Sequence, residues 1–240
     1  MKLGLAGHRE DPRGRTLKLR DFLKLDFAVP AACDLDVDAH LPRETDALGN
    51  LDVGCCGPAA AAKFARWEDR IRGVEPSVTE ADVLREYAAL SGWTPDDPTS
   101  DVGIYALDMF RKWRTDGLFG RRIGAFAQVD FFDDDERNFA TFCLGGVLLC
   151  MNIPNVAMES DTWDGRQPDG GPAGGHMVRQ NGTHTVQSWK WTPYCNSAFV
   201  HRYAFDAYAV FSEESIKGDG RSFSGLDLGG LREALAAVTA

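Results

Sequence analysis

Leu48-Gly-Asn-Leu-Asp-Val-Gly-Cys-Cys-Gly-Pro-Ala-Ala-Ala-Ala-Lys-Phe-Ala-Arg-Trp67 places two adjacent thiols at the mouth of a predicted helix. Pro58 suits the first helical turn, where its missing N–H costs no hydrogen bond. Ala59 to Ala62 propagate the helix, and Phe64 and Trp67 give it an apolar side. A helix start offers free N–H groups and the positive end of the helix dipole, and both favour thiolate over thiol. Cys55 and Cys56 therefore compete as nucleophiles, and a nearby imidazole would complete the activation.

Five histidines compete for that role. His8 lies in an N-terminal arm, His40 in an early loop, His184 on a second hairpin strand and His201 on a late helix. His176 opens a strand behind Gly174-Gly175, where two glycines let another element approach closely. A structural histidine is the competing reading of that position. Asn50 precedes Cys56 by six residues and would aim an amide N–H at a developing oxyanion. Gln187-Ser188-Trp189 lies on the strand returning from His176. An amide there would fix the imidazole tautomer, and the indole would cover that bond.

The rest of the chain sets these groups in order. Thr79 with Asp82 reads as a capping box opening a second helix, whose stripe is Val83, Tyr87, Leu90 and Trp93. A third helix is predicted over 103–115 and ends at Gly117. The period then changes to two: Ala125 to Val129 reads as a half-buried strand, 134–144 as an acidic helix with a solvated face, and 147–153 as a buried strand. Residues 154–175 read as a long loop. His176 to Trp189 reads as a hairpin turned at Asn181-Gly182. Thr192-Pro193 opens a short helix, and 207–211 is the last strand. Helices fall in the first half and strands in the second, an α+β order.

Composition limits the function. The chain has 240 residues, 44% hydrophobic, enough for a sizeable core, and a net charge of −10 that argues against nucleic-acid binding. Residues 1–24 carry seven Lys/Arg against three Asp/Glu, a local +4 that leaves −14 for the remainder. A basic arm of this kind docks on its own body, on a partner or on an anionic surface. No apolar run reaches the ~20 residues of a membrane span, and the start shows no signal peptide. Six cysteines without CxxC pairs imply a reducing compartment, no metal and no cofactor.

Together these segments resemble the papain-like cysteine peptidase superfamily, and more closely the compact papain-like proteins of bacteriophages and prophages. The resemblance runs through roughly 16–212. It is carried by the Leu-Lys-Leu arm, Leu48-Gly-Asn-x-x-x-Gly-x-Cys56, Asp101-Val-Gly, Phe110-Arg-Lys-Trp-Arg-Thr-Asp-Gly117, Gly145-Gly-Val, Gly174-Gly-His176, Tyr194-Cys-Asn and Ala207-Tyr-Ala-Val210. It implies a helical N-terminal half packed on a strand-rich antiparallel C-terminal half, with the cleft between. The domain plan is a basic arm (1–27), a papain-like domain (28–213) and a C-terminal extension with a short helix (214–240). The resemblance assigns Cys56 as nucleophile, His176 as general base, Gln187 as its orienting amide and Asn50 to the oxyanion hole. Trp189, Gly175 and Met177 line or shield the cleft, and Cys55 is a substitution for a polar residue. It further implies a protein or peptide substrate, phage structural partners bound through arm and tail, and residence in host cytoplasm or on the virion. The competing reading is a catalytically weak papain-like fold serving in virion assembly or partner binding.

Overall fold

The computed structural model describes residues 1–10, 17–24, 28–212 and 220–229. In the first half, helices begin where caps are available. Helix α1 (Leu35–Asp38) starts at Asp34, whose carboxylate accepts from the N–H groups of Asp36 and Val37. Helix α2 spans Cys56–Ile71, and α3 spans Glu80–Ser91 with the Thr79/Asp82 capping box in place. Helix α4 spans Ala106–Thr115, three residues shorter at its start than expected. Gly103 takes a φ of 76°, and Ile104 is extended so that its backbone pairs with Gly4 and Ala6.

Strand β1 (Ile123–Gln128) leads into α5 (Asp134–Leu144), capped by Asp133, and then β2 (Val147–Pro154). The stretch expected to be one loop holds structure: a 3-10 turn at Asn155–Met158, β3 (Thr162–Trp163) and the start of β4 (Pro172–Gln180). Strands β5 (Val186–Gln187) and β6 (Tyr194–Cys195), helix α6 (Ser197–Tyr203) and β7 (Ala204–Ser212) complete the order. The short helix expected at Thr192-Pro193 does not form there. It begins at Ser197, because Asn196 caps it by accepting from Phe199 N–H at 2.9 Å.

An antiparallel sheet runs β1-β7-β2-β4-β5, and β3 pairs with β6 in parallel. Both faces of the main sheet are covered. Leu148, Cys150, Met177, Tyr208 and Val210 join the core under α2, α3 and α4. Val147, Leu149, Met151, Val178, Ala207 and Phe211 face the opposite core with α5 and α6. Double burial explains why β2 reads as an unbroken apolar run and not an alternating one. The charges of α5 are not simply a solvated face: Glu136 and Arg137 are each 1% exposed. Glu136 pairs with Arg20 of the arm, and Arg137 donates to Gln180 Oε1 and Phe131 O.

The hairpin between β4 and β5 also departs from expectation. Pairing ends at Gln180↔Val186, and residues 181–185 form a wider loop closed by Asn181 N–H to Thr185 O. Asn181 is fully buried and donates to Asp36 Oδ2, while Gly182 packs against the backbone at Cys33 and Asp34. Tertiary contacts of these two residues replace the tight two-residue turn. The arm lies on the body: Arg9 pairs with Asp108 at 2.7 Å, Arg20 with Asp133 at 2.9 Å, and Leu19 is fully buried. Leu226 and Leu228 reach the core, while the helix expected to continue past 229 lies outside the described residues. No described helix is long and apolar enough to cross a membrane.

Helix α2 packs on β4, and Ala59 to Ala62 are at most 3% exposed. Methyl side chains permit that close approach. Ala61 is fully buried, so Ala61→Leu should overpack the core around α2 and cost about 1–3 kcal/mol, read as a lower midpoint in urea with unchanged m-value.

Candidate active site

The turn before α2 is fixed by Asp101. Its carboxylate accepts the Gly54 N–H through both oxygens, at 3.0 and 3.1 Å, and the Tyr87 hydroxyl at 2.6 Å. The same hydroxyl accepts from Gly103 N–H at 3.0 Å. One carboxylate thus ties the segment entering α2 to α3 and to the 101–104 segment. Its sequence signal was the Asp101-Val-Gly motif, whose structural job could not be read without the fold.

Cys55 and Cys56 part at the helix start. Cys55 points its sulfur at Leu48 O and is wholly buried, and its pKa is raised by burial. Cys56 is the first residue of α2, 1% exposed. All the cysteines are free. Burial pushes the Cys56 thiol up to about 11, against the opposing pull of backbone N–H groups that include Met177, Gly4 and Gly57. In this state the thiol is therefore neutral, not the thiolate expected from the helix end. Desolvation outweighs the dipole.

His176 sits on β4 next to Met177, 1% exposed. Its Nε2 lies 2.8 Å from Ser188 Oγ, and Trp189 stacks on the ring at 4.4 Å between centroids and 16° between planes. Its Nδ1 has no hydrogen-bond partner. Burial first, and then the charge of Lys63, drop its pKa to about 3. The imidazole is neutral and keeps one open nitrogen.

Gln187 is not beside that ring. Its Oε1 accepts from Arg179 at 2.8 Å and its Nε2 donates to Asp36 Oδ2 at 2.8 Å. Strand alternation explains the difference: neighbours on a strand face opposite sides, so Ser188 faces His176 and Gln187 faces away. Arg179 is fully buried and also donates to Gly145 O at 2.6 Å, so this polar chain braces β4, β5 and α1 behind the site. The orienting contact belongs to Ser188, which the sequence reading passed over as a mere companion of Trp189.

The cleft holds a peptide strand of the chain itself. Leu5 N–H donates to Gly175 O at 3.1 Å, Ile104 N–H to Gly4 O at 2.9 Å, and Ala6 N–H to Ile104 O at 2.9 Å. The Lys2 carbonyl accepts from Asn50 Nδ2 and from Trp189 Nε1, each at 3.2 Å. Glycines make the corridor: a Cβ on Gly4 would stand 1.6 Å from Gly54 O, and one on Gly175 would stand 2.2 Å from Leu5 O. Leu5 packs with Cys56, Ile104, Cys150 and Met177, and His8 closes the segment on buried Asp206 at 2.7 Å. Asn50 and Trp189 thus share the Lys2 carbonyl, Gly175 holds Leu5, and Cys56 lies against the backbone of Gly4 and of Met177, the residue after His176. Among the described residues no cluster of acidic, histidine and cysteine side chains is arranged to hold a metal.

The buried neutral His176 has a pH consequence. Its folded pKa, about 3, lies below the ordinary value of 6.5, so the unfolded chain binds more protons between these values. Its contribution to stability is complete above 6.5 and is lost progressively as pH falls toward 3. Chemical denaturation from pH 7 to pH 4 should show a steeper loss for the native chain than for His176→Phe.

No protein-family model matches the chain, and no curated protein matches it. Among solved structures, it is similar to xylellain, a cysteine protease from Xylella fastidiosa, with 13% identity and a TM-score of 0.64 over 87% of this chain and 95% of that one. It is also similar to recombinant stem bromelain precursor, with 15% identity and a TM-score of 0.55 over 88% of this chain and 77% of that one. At these identities the likeness establishes architecture: helices and an antiparallel sheet arranged in the α+β papain-like fold.

Proposed function

We propose that this protein is a cysteine peptidase whose substrates are proteins or peptides. The observation that carries the reading is that the groove beside Cys56 and His176 already binds an extended polypeptide backbone, residues 2–6, through main-chain hydrogen bonds. A groove that recognises backbone and presents a helix-end thiol fits amide hydrolysis. The papain-like fold of its structural neighbours supports the same chemistry.

In this reading the Cys56 thiol gives its proton to Nδ1 of His176 and its sulfur attacks the scissile carbonyl carbon. Asn50 Nδ2 and the Cys56 N–H stabilise the oxyanion; Asn50 already donates to a cleft carbonyl, that of Lys2. The imidazolium returns the proton to the departing amine, leaving a thioester. Water, deprotonated by His176, then releases the acid and the thiol. Ser188 holds Nε2, the part expected of Gln187.

Residues 2–6 occupy the groove in the described state, so they compete with substrate. This explains a neutral thiol and imidazole in one site: the segment excludes the water that would solvate their charges. Neither a bacteriophage origin nor a virion role finds an observation in its favour, and the proposal includes neither.

Gly4→Val should displace the segment, because its side chain has no room against Gly54 O. Iodoacetamide should then label Cys56 at pH 7 at least about tenfold faster than in the native chain. A chain starting at residue 10 should match it and hydrolyse unfolded casein, and Cys56→Ser should abolish hydrolysis. Labelling no faster than an ordinary thiol in both opened forms would overturn the reading.

A further inference from the structure

Lys63 is a buried cation that the proposed chemistry leaves unused. It lies in α2 seven residues after Cys56, two helical turns along the same face, and is 3% exposed. Its ammonium donates to two backbone carbonyls, Asp46 O at 2.6 Å and Trp189 O at 2.8 Å. Burying an ammonium is expensive, so an apolar residue would be the ordinary choice on a helix face this deep.

The carbonyl it holds belongs to a strained residue. Trp189 adopts a φ of 42°. It is the first residue of a two-residue loop, Trp189-Lys190, closed by Ser188 N–H to Trp191 O and Trp191 N–H to Ser188 O, each at 3.0 Å. That loop position favours glycine, and a bulky side chain in this region persists only when its surroundings hold it there. The strain has a visible product. The residue before it puts Oγ on Nε2 of His176, and the strained residue itself lays its indole on the ring.

We propose that Lys63 is a positioning residue: by holding the Trp189 carbonyl it keeps the strained turn in the arrangement that presents Ser188 to Nε2 of His176 and leaves Nδ1 free for the thiol proton. The inference rests on the peptidase reading for its catalytic meaning, but the geometry it claims is measurable without activity. The charged group of α2 that acts on the ring is Lys63, and Lys63 in turn feels Glu44, Asp46, Arg66 and Arg179.

The first test is the tautomer of His176 in the full chain, read by long-range proton–nitrogen correlation. The native chain should show one tautomer, protonated at Nε2. Lys63→Met should give a mixture of tautomers in the folded protein, as should Ser188→Ala, and Ser188→Thr should restore the single form. The second test uses the full chain opened by Gly4→Val. Lys63→Met should slow Cys56 alkylation at pH 7 at least about tenfold. It should also move the acid limb of the profile to higher pH, because losing a nearby cation raises the imidazole, which then stays protonated to higher pH. Lys63→Met and Ser188→Ala combined should lose little more than either alone, since both act through one ring.

Should Lys63→Met fail to fold, Lys63→Gln removes the charge while keeping N–H donors, and its acid limb should move the same way. A single Nε2–H tautomer and an unmoved pH profile in folded Lys63 variants, with only the melting temperature lowered, would overturn the inference. If the opened native chain labels no faster than a free thiol, the peptidase reading falls, and the tautomer measurement still decides whether Lys63 positions the ring.

Discussion

The seating of α2 on β4 is the constraint on which the rest of the site depends. The helix packs closely on the strand, and the four consecutive alanines, none more than 3% exposed, keep its buried sides slim. That contact delivers the first residue of the helix, Cys56, to the strand residue beside His176. Larger side chains would lift the helix and move the sulfur with it. Asp101 fixes the other coordinate by accepting Gly54 N–H just before the helix begins. Packing and one carboxylate thus place the thiol, and the helix dipole then acts on a sulfur that is already in position.

Behind β4 the same seating creates a second requirement. Arg179 and Lys63 are among the cations buried against the hairpin, and each donates to neutral acceptors. Arg179 reaches Gly145 O and the Gln187 amide, which passes the contact on to Asp36. The Asp36 carboxyl is raised by its own burial and lowered by Arg179, and it accepts from both Asn181 and Gln187. Such groups contribute little net stability, but removing one partner strands another in a dry interior. They fix the hairpin in one arrangement, and the imidazole rides on that hairpin.

The occupied cleft joins geometry to electrostatics. Gly4, Gly54 and Gly175 have no side chains, so main chain meets main chain and the hydrogen bonds run from backbone to backbone. Recognition of this kind is indifferent to most side chains and suits a polypeptide ligand. It also leaves the thiol and the imidazole dry, and a dry pair is a neutral pair. The thiol is raised and the imidazole lowered, with burial as the largest cause in each.

The sequence alone determined the helix carrying Cys56, the Thr79/Asp82 capping box, the buried strand at 147–153, the α+β order and the papain-like architecture. All but the last are local or periodic signals: a cap, a run of alanines, a change from helical to alternating period; the papain-like architecture came from the resemblance of motifs in a shared order. It also singled out Asn50, His176 and Trp189: Asn50 and Trp189 share the Lys2 carbonyl, and Trp189 stacks on His176. The tertiary structure decided what depends on facing and burial. Strand alternation, together with a buried arginine, turned Gln187 away and gave Ser188 to the imidazole. Contacts of Asn181 with Asp36 and of Gly182 with residues 33–34 undid the expected two-residue turn. Pairing of Gly103–Ile104 with residues 4–6 shortened α4 at its start. The protonation state was beyond the sequence for the same reason: desolvation is set by what covers a group, and residues 2–6 cover this one from about fifty positions away along the chain.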